Sequence, residues 1–231
     1  MNRTSPKFLK AIPPILILLT VMAFPAFSED IQALIKNAEG GNPEAQFNLG
    51  VAYGKGEGVP KDYAESMKWY RMAAEQGLAE AQCNIGIAYE TGQGVPQDYA
   101  ESMKWYRKAA EQGLAEAQYN LGVAYYNGQG VSKDYVESMK WFRMAAEQGH
   151  AAAQCILGIY YSDGQVVPQD YLLAYFWTSL AATRNTGEVN NRCANSSYID
   201  YAANAARHLT PEQLTKAQQM IREWEVKHPR K

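Results

Sequence analysis

The sequence predicts an all-α protein in which antiparallel helix pairs stack into an elongated solenoid. The first observation is a unit of 36 residues that recurs four times, without gaps, between residues 42 and 185. The first two copies differ at ten positions, so 26 of their 36 residues are identical. Each copy also holds two stretches with helical spacing of apolar residues, separated by a glycine-rich break. A fixed period of this length indicates stacked units that bury a continuous core between neighbours.

The predicted repeats are flanked by segments that we expect to close the two ends of the solenoid. The four repeats span residues 42–77, 78–113, 114–149 and 150–185. Residues 29–41 contain one further helix, which we expect to cap the first repeat, because a repeat buries its apolar face only against a neighbour. Residues 186–231 are expected to form a loop and C-terminal capping helices. Thr210 and Gln213, with Pro211 between them, predict the start of the last helix.

Each copy is expected to contain two helices joined by a tight turn. In copy one, Asn42 followed by Pro43 is a typical helix start, since asparagine caps the first amides and proline needs no amide partner there. Residues 56–60 are rich in glycine and end in proline, which breaks this first helix. Asp62 and Glu65 resemble a capping box at the start of the second helix, with aspartate in the role of serine or threonine.

A set of glycine, alanine and aromatic positions recurs in phase through the copies, and the fourth copy departs from it at Val166 and Asn185, which replace glycines. In copy one the set is Ala45, Leu49, Gly50, Tyr53, Gly56, Gly58, Val59, Asp62, Tyr63, Trp69, Tyr70, Ala73, Ala74 and Gly77. This pattern resembles the Sel-1-like repeat, a relative of the tetratricopeptide repeat. The resemblance implies a right-handed superhelix of helix pairs that binds a protein or peptide. It names neither the partner nor the oligomeric state.

The charge balance argues against a nucleic-acid partner. The chain carries a formal net charge of −2, and residues 1–28 hold three basic residues and no acidic one. A chain without that segment would have 19 basic and 24 acidic residues, a net charge of −5. Such a chain lacks the basic surface that releases counterions from phosphates.

The amino-terminal segment predicts export. Arg3, Lys7 and Lys10 precede an apolar run over residues 11–24, and Ala26 and Ser28 fit a small-residue cleavage site. We therefore expect a signal peptide at residues 1–28, cleavage between Ser28 and Glu29, and a periplasmic or secreted protein with no later membrane span. The alternative is an uncleaved anchor, which the short run and its prolines disfavour.

The three cysteines leave two arrangements open. Cys83 and Cys155 occupy one repeat position, which is expected to be part of the core, and they lie two repeats apart. Two repeats correspond to about 20 Å, since packed helix layers are roughly 10 Å apart, and a disulfide cannot span that distance. A Cys155–Cys193 bond and two free thiols remain the alternatives, and an oxidising compartment would favour the bond.

The sequence contains few residues in patterns typical of catalytic, metal-binding or phosphate-binding sites. The three histidines are scattered, no metal-binding spacing is present, and Gly56 and Gly58 form a turn signal rather than a phosphate-binding loop. We predict no catalytic residue, no metal and no cofactor. The alternative function is β-lactamase or penicillin-binding activity, as the resemblance to cysteine-rich Sel-1-like repeat proteins implies. Those members carry a cysteine pair in each repeat, whereas no repeat here has two.

The candidate binding surface is a ladder of polar residues on the first helix of each repeat. Asparagine recurs opposite the apolar face, and a second polar position follows at the helix end. Because first helices tend to line the concave side of such superhelices, these side chains are expected to hydrogen-bond an extended peptide. The candidates are Asn48, Asn84, Asn120, Lys55, Thr91 and Asn127. The alternative is that they only keep the surface hydrated.

A tryptophan recurs at one position of the second helix. The series is Trp69, Trp105, Trp141 and Trp177. Its regularity favours packing between repeat layers over ligand stacking.

Overall fold

A computed structural model describes residues 29–184 and 197–229, and within these ranges the chain forms eleven helices and no strand. None of the helices in these two ranges has the length and the apolar character needed to cross a membrane. The signal predicted at residues 1–28 lies outside the described residues. The helices are α1 (Glu29–Glu39), α2 (Pro43–Lys55), α3 (Tyr63–Glu75), α4 (Ala79–Thr91), α5 (Tyr99–Glu111), α6 (Ala115–Asn127), α7 (Tyr135–Glu147), α8 (Ala151–Asp163), α9 (Tyr171–Arg184), α10 (Ser197–Ala206) and α11 (Pro211–Lys227).

Helices that follow one another in the chain pack against one another. The pairs α2–α3, α4–α5, α6–α7 and α8–α9 are the four repeats, and we call their members the first and second helix of each repeat. Each second helix also packs on the first helix of the next repeat. The predicted right-handed superhelix of helix pairs with helical caps is thereby confirmed. Its core consists of clusters that span the junctions, as where Met67 and Ala74 of α3 pack with Ile85 of α4.

In the first three repeats the two helices approach closely because a glycine faces an aromatic ring. A Cβ atom added at Gly50 would lie 2.6 Å from the Tyr70 ring. Beside this contact, Ser66 Oγ donates a hydrogen bond to the Gly50 carbonyl at 2.6 Å. Ser102 and Ser138 make the same bond to the matching glycines at 2.8 Å. These buried hydroxyls are thus satisfied by backbone and fix the register of each helix pair.

The aspartate helix caps are confirmed, but the glutamate half of the expected capping box is wrong. Asp62 Oδ1 accepts the N–H groups of Ala64 and Glu65 at 2.9 and 3.0 Å. The Glu65 carboxylate does not return to the Asp62 amide; it binds Lys68 Nζ at 2.9 Å. The reason is that the Asp62 N–H already donates to the Tyr53 carbonyl at 2.9 Å, across the turn between the two helices.

A buried glutamine in each first helix ties it to the second helix before it. Gln82 Nε2 donates to the Ala74 carbonyl of α3 at 3.3 Å, and Gln82 Oε1 accepts from Gln112 Nε2 at 2.8 Å. Gln154 Oε1 finds no hydrogen-bond partner among the described residues, and the place of Gln112 is taken in the fourth repeat by Arg184. The buried glutamines are Gln46, Gln82, Gln118 and Gln154.

Helix α1 occupies the place that a second helix would hold in a preceding repeat. Gln46 Nε2 donates to the Ala38 carbonyl at 3.1 Å, which matches the bond that Gln82 makes to Ala74. Ile31 and Ala38 are buried against the first repeat. The apolar end of that repeat is therefore covered.

Helices α10 and α11 pack on α9 and cover the opposite end. The predicted start of α11 is confirmed as a full capping box: Gln213 N–H donates to Thr210 Oγ1 at 3.2 Å, and Thr210 N–H donates to Gln213 Oε1 at 2.9 Å. His208, between the two helices, stacks on Tyr171 of α9 with ring centroids 4.0 Å apart. The loop predicted from residue 186 onward, before α10, lies outside the described residues.

Two of the three cysteines lie in the core, as expected from their repeat position. Cys83 is 3% exposed and is a free thiol, whereas Cys155 is fully buried and disulfide-bonded. Cys193 lies outside the described residues, so the Cys155–Cys193 pairing stays a prediction.

Candidate functional site

A groove of about 410 Å³ lies at the junction of the first and second repeats. Helices α2 and α4 contribute its sides, and α3, which packs on both, contributes its base. Lys55 is the one charged side chain among its described lining residues. We call it the α2–α4 groove, and it is lined by Val51, Gly54, Lys55, Tyr63, Ser66, Met67, Tyr70, Asn84, Ile87, Ala88 and Gln93.

The Tyr70 phenol is the central polar group of this groove. Its ring lies against Gly50, and a Cβ atom added at Gly54 would lie 4.0 Å from its hydroxyl oxygen. Burial raises the pKa of Tyr70, and the neighbouring Ser66 and Asn84 side chains oppose that rise. The phenol is therefore neutral at neutral pH and keeps an O–H that can donate to a ligand.

The residue at the position of Gly54 differs between the junctions. In the second repeat this residue is Glu90, and the Tyr106 phenol donates a hydrogen bond to its carboxylate. In the third repeat it is Tyr126, whose ring packs against two further tyrosines at centroid distances of 5.3 and 6.5 Å. Tyr106 is accordingly only 2% exposed, whereas Tyr70 is partly exposed. The chain's own side chains occupy the second and third junctions, and glycine leaves the first one open.

The structure brings two of the six candidate binding residues together. Lys55 of α2 and Asn84 of α4 both line the groove, although they belong to different repeats. Asn48 is exposed outside it, on the preceding turn of α2. Asn120 is partly buried and its Nδ2 lies 3.8 Å from the Cys83 sulfur, so it contacts the preceding first helix. The asparagines thus share one helix position but not one environment.

The other two candidates use their side chains locally. Thr91 is exposed, and its hydroxyl donates to the Ile87 carbonyl one turn earlier at 2.8 Å. Asn127 is exposed, and its Nδ2 donates to Gln129 Oε1 at 3.3 Å. Both lie at the ends of first helices, away from the groove lining.

Sequence reasoning missed the residues that shape the groove. The sequence pattern assigns Tyr63 and Tyr70 to the repeat and gives Gly54 no role, yet all three line the groove. Lys61 Nζ lies 4.8 Å from the Tyr63 ring centroid. One signal was available: Gly54 is among the ten positions where copy one differs from copy two. Its meaning depends on the Tyr70 hydroxyl beside it, which no spacing rule places there.

The tryptophan series packs in the core, as predicted. Trp69 is 8% exposed and packs with Ile31 and Leu49. Trp105 and Trp141 are partly buried against the clusters at their junctions. Lys108 Nζ lies 4.1 Å from the centroid of the Trp105 ring, on its outer side. These rings are therefore part of the repeat packing.

The described part of the chain holds no metal-binding cluster. Within residues 29–184 and 197–229, no group of three or more histidine, cysteine or acidic side chains is placed to hold a metal ion. The recurring serines are buried and donate to glycine carbonyls, so their hydroxyls serve packing.

Comparisons with known proteins agree with this architecture. The family model described as Sel1 repeat matches four segments, residues 43–78, 79–114, 115–150 and 151–185. A Sel1 repeat protein from Oxalobacter formigenes is 34% identical with a TM-score of 0.66, and the match covers 78% of this chain and 79% of that one. A search of curated proteins finds no match.

A second solved structure is a protective antigen of uropathogenic Escherichia coli that displays an SLR fold. It is 36% identical with a TM-score of 0.72, and the match covers 86% of this chain. The chain spans only 41% of the length of that antigen.

Proposed function

The chain belongs to the Sel1 repeat family, and from this premise we propose that it is a non-catalytic scaffold that binds a protein or peptide along its first helices. Members of this family are typically scaffolds for protein interaction. The observation that carries the proposal is the open α2–α4 groove. It presents a phenol, an amide and an ammonium group from three different helices in one partly apolar recess.

An extended peptide fits this surface chemically. A bound peptide loses water from its backbone N–H and C=O groups, and each of these groups then needs a partner. Asn84 offers both a donor and an acceptor inside the groove, and Asn48 offers the same one repeat earlier on the exposed face. Met67 and Ile87 supply apolar surface between these polar groups. The binding face in this proposal is the concave one.

Export is part of the proposal. The pattern of residues 1–28 supports cleavage after Ser28 and release into the periplasm or outside the cell. The test is the intact mass of the protein recovered from periplasm or medium. A chain that begins at Glu29 supports export, and a recovered chain that retains residues 1–28 contradicts cleavage.

The binding face is tested by replacing Asn48, Asn84 and Asn120 together with alanine. Each lost hydrogen bond contributes a net ~0.5–1.5 kcal/mol, so affinity for the partner isolated with the mature protein from envelope extract should fall at least about tenfold. A matched control replaces three exposed lysines at one position of the second helices with alanine, namely Lys68, Lys104 and Lys140. Calorimetric titration should show the loss only in the asparagine variant. Equal affinity in the two variants, with equal melting curves, would place the binding surface elsewhere.

A further inference from the structure

The second repeat shows what the first junction lacks. At the second junction, the Glu90 carboxylate accepts a hydrogen bond from the phenol of Tyr106. Glu90 itself is partly buried there, and Tyr106 is 2% exposed. The chain thus demonstrates, in its own structure, that a carboxylate fits above this tyrosine.

The first junction keeps the phenol donor of that arrangement but has no carboxylate. Tyr70 occupies the position of Tyr106, and Gly54 occupies the position of Glu90. No acidic residue is among the described residues that line the α2–α4 groove. The phenol O–H of Tyr70 and the amide of Asn84 therefore face a recess in which no lining residue supplies a negatively charged acceptor.

The charge of the recess favours an anion. Lys55 stands at its rim, where the second repeat has the neutral Thr91. The nearest acid to Lys55 is Glu57 at 3.7 Å, and both side chains are about two-thirds exposed. An exposed pair of this kind is weak, so Lys55 can turn to a bound anion at little cost.

We propose that the α2–α4 groove binds the carboxylate side chain of a glutamate or aspartate in an extended partner polypeptide, in the place that Glu90 occupies at the next junction. The Tyr70 phenol donates to one carboxylate oxygen, the Asn84 amide donates to the other, and Lys55 compensates the charge. Hydrogen bonds to a charged acceptor are shorter and stronger than neutral ones, and a partly desolvated recess strengthens them further. This inference rests on the proposed scaffold function and names the chemistry of its ligand.

The size of the groove suits a side chain within a peptide. A volume of about 410 Å³ exceeds what one carboxylate needs and leaves room for the flanking backbone against Val51 and Ile87. The same comparison predicts which substitution closes the site. In Gly54→Glu, the new side chain would take the place of the ligand and bind Tyr70 as Glu90 binds Tyr106.

The probe is a pair of soluble libraries of acetylated and amidated seven-residue peptides with randomised flanks. One library has glutamate at its centre, and the other has glutamine. We expect the wild-type protein to retain the glutamate library at least about tenfold better than the glutamine library, as loss of a charge-assisted bond implies. Gly54→Glu should abolish this preference and melt no lower than wild type. The matched control is Ala64→Glu, which adds the same charge at an exposed position outside the groove lining and should keep the preference.

Three results would overturn the inference. If the wild type retained both libraries equally, the groove would have no preference for a carboxylate, although the protein would still be a scaffold that binds peptides. An unchanged glutamate preference in folded Gly54→Glu would place the carboxylate site outside the groove. Retention of neither library would count against both this inference and the proposed peptide-binding function.

Discussion

Gln112 Nε2 donates a hydrogen bond to Gln82 Oε1 at 2.8 Å, and Gln82 Nε2 donates one to the Ala74 carbonyl of the preceding repeat at 3.3 Å. Three consecutive helices are joined in this way by two side chains. Because Gln82 is 6% exposed, its amide has little access to water when a partner is missing.

Gln82→Ala should therefore lower the free energy of unfolding by about 1–3 kcal/mol, since it removes two hydrogen bonds that each contribute a net ~0.5–1.5 kcal/mol, one to the Ala74 carbonyl and one from Gln112 Nε2. Urea unfolding followed by circular dichroism measures the loss. The matched control is Gln112→Ala, which removes an exposed donor and should cost about 1 kcal/mol or less. A cost for Gln82→Ala no larger than that of the control would mean that the connection does not stabilise the junction.

Trp69→Ala should cost about 3–5 kcal/mol, because the ring is 8% exposed and fills the space between α1 and the first repeat. Trp105→Ala should cost clearly less, since that ring is more exposed. Urea unfolding of the two variants side by side gives the difference. Equal and small losses, below about 1 kcal/mol, would mean that the tryptophans are not packing residues.

The contact between Glu116 and His150 predicts a local dependence of stability on pH. His150 Nε2 lies 3.0 Å from Glu116 Oε2, while its Nδ1 accepts the Ala153 N–H at the start of α8 at 3.3 Å. The hydrogen bond from His150 lowers the pKa of Glu116. A lowered folded pKa means that the carboxylate stabilises the fold above its unfolded pKa of about 4.3, and that this contribution disappears as the pH falls through the folded pKa.

Glu116→Gln should thus be less stable than wild type at pH 7 by no more than about 1 kcal/mol, because the Glu116 side chain is half exposed. The difference should shrink below about pH 4. Glu80→Gln is the control, since Glu80 holds the same repeat position and the next repeat there has Leu114 in place of the histidine. A pH-independent difference, or the same profile for both variants, would contradict the assignment.

Cys83 should be inert in the folded protein. Burial raises the pKa of its thiol to about 12, and only 3% of the residue is exposed. At pH 8 only about one such thiol in ten thousand would be a thiolate, the reactive form. Iodoacetamide should label no thiol in the native protein, one after unfolding without reductant, and all three cysteines after reduction. Rapid labelling of the native protein would show that Cys83 is accessible, and two labelled thiols without reductant would contradict the Cys155–Cys193 pairing.

The repeat architecture could be predicted because it depends on helix caps between near neighbours in the chain and on the fixed period of the repeat. Asp62 caps its helix through amides two and three residues away, and Thr210 and Gln213 complete a capping box. Such contacts depend only on neighbours in the chain. The expected bond from the Asp62 amide to Glu65 is wrong because the more distant Tyr53 carbonyl accepts that amide, and Glu65 pairs with Lys68 instead.

The groove and the glutamine connections could not be predicted in the same way. Gln112 and Gln82 are 30 residues apart, and they meet only because two helices pack in one register. In the alignment of copies one and two, Gly54 against Glu90 is only one of the ten differing positions. Its effect on the groove depends on how Tyr70 lies across Gly50, which is a property of tertiary packing.

The most direct test of the scaffold function places a photocrosslinking amino acid at position 93, in the lining of the α2–α4 groove, or at position 68, on the exposed side of α3. Each variant of the mature protein is mixed with envelope extract, irradiated and analysed by mass spectrometry. We expect a discrete crosslinked protein from position 93, its loss in the same chain carrying Gly54→Glu, and none from position 68. A crosslink that forms only from position 68, or one from position 93 that persists in the Gly54→Glu chain, would contradict the proposed binding site.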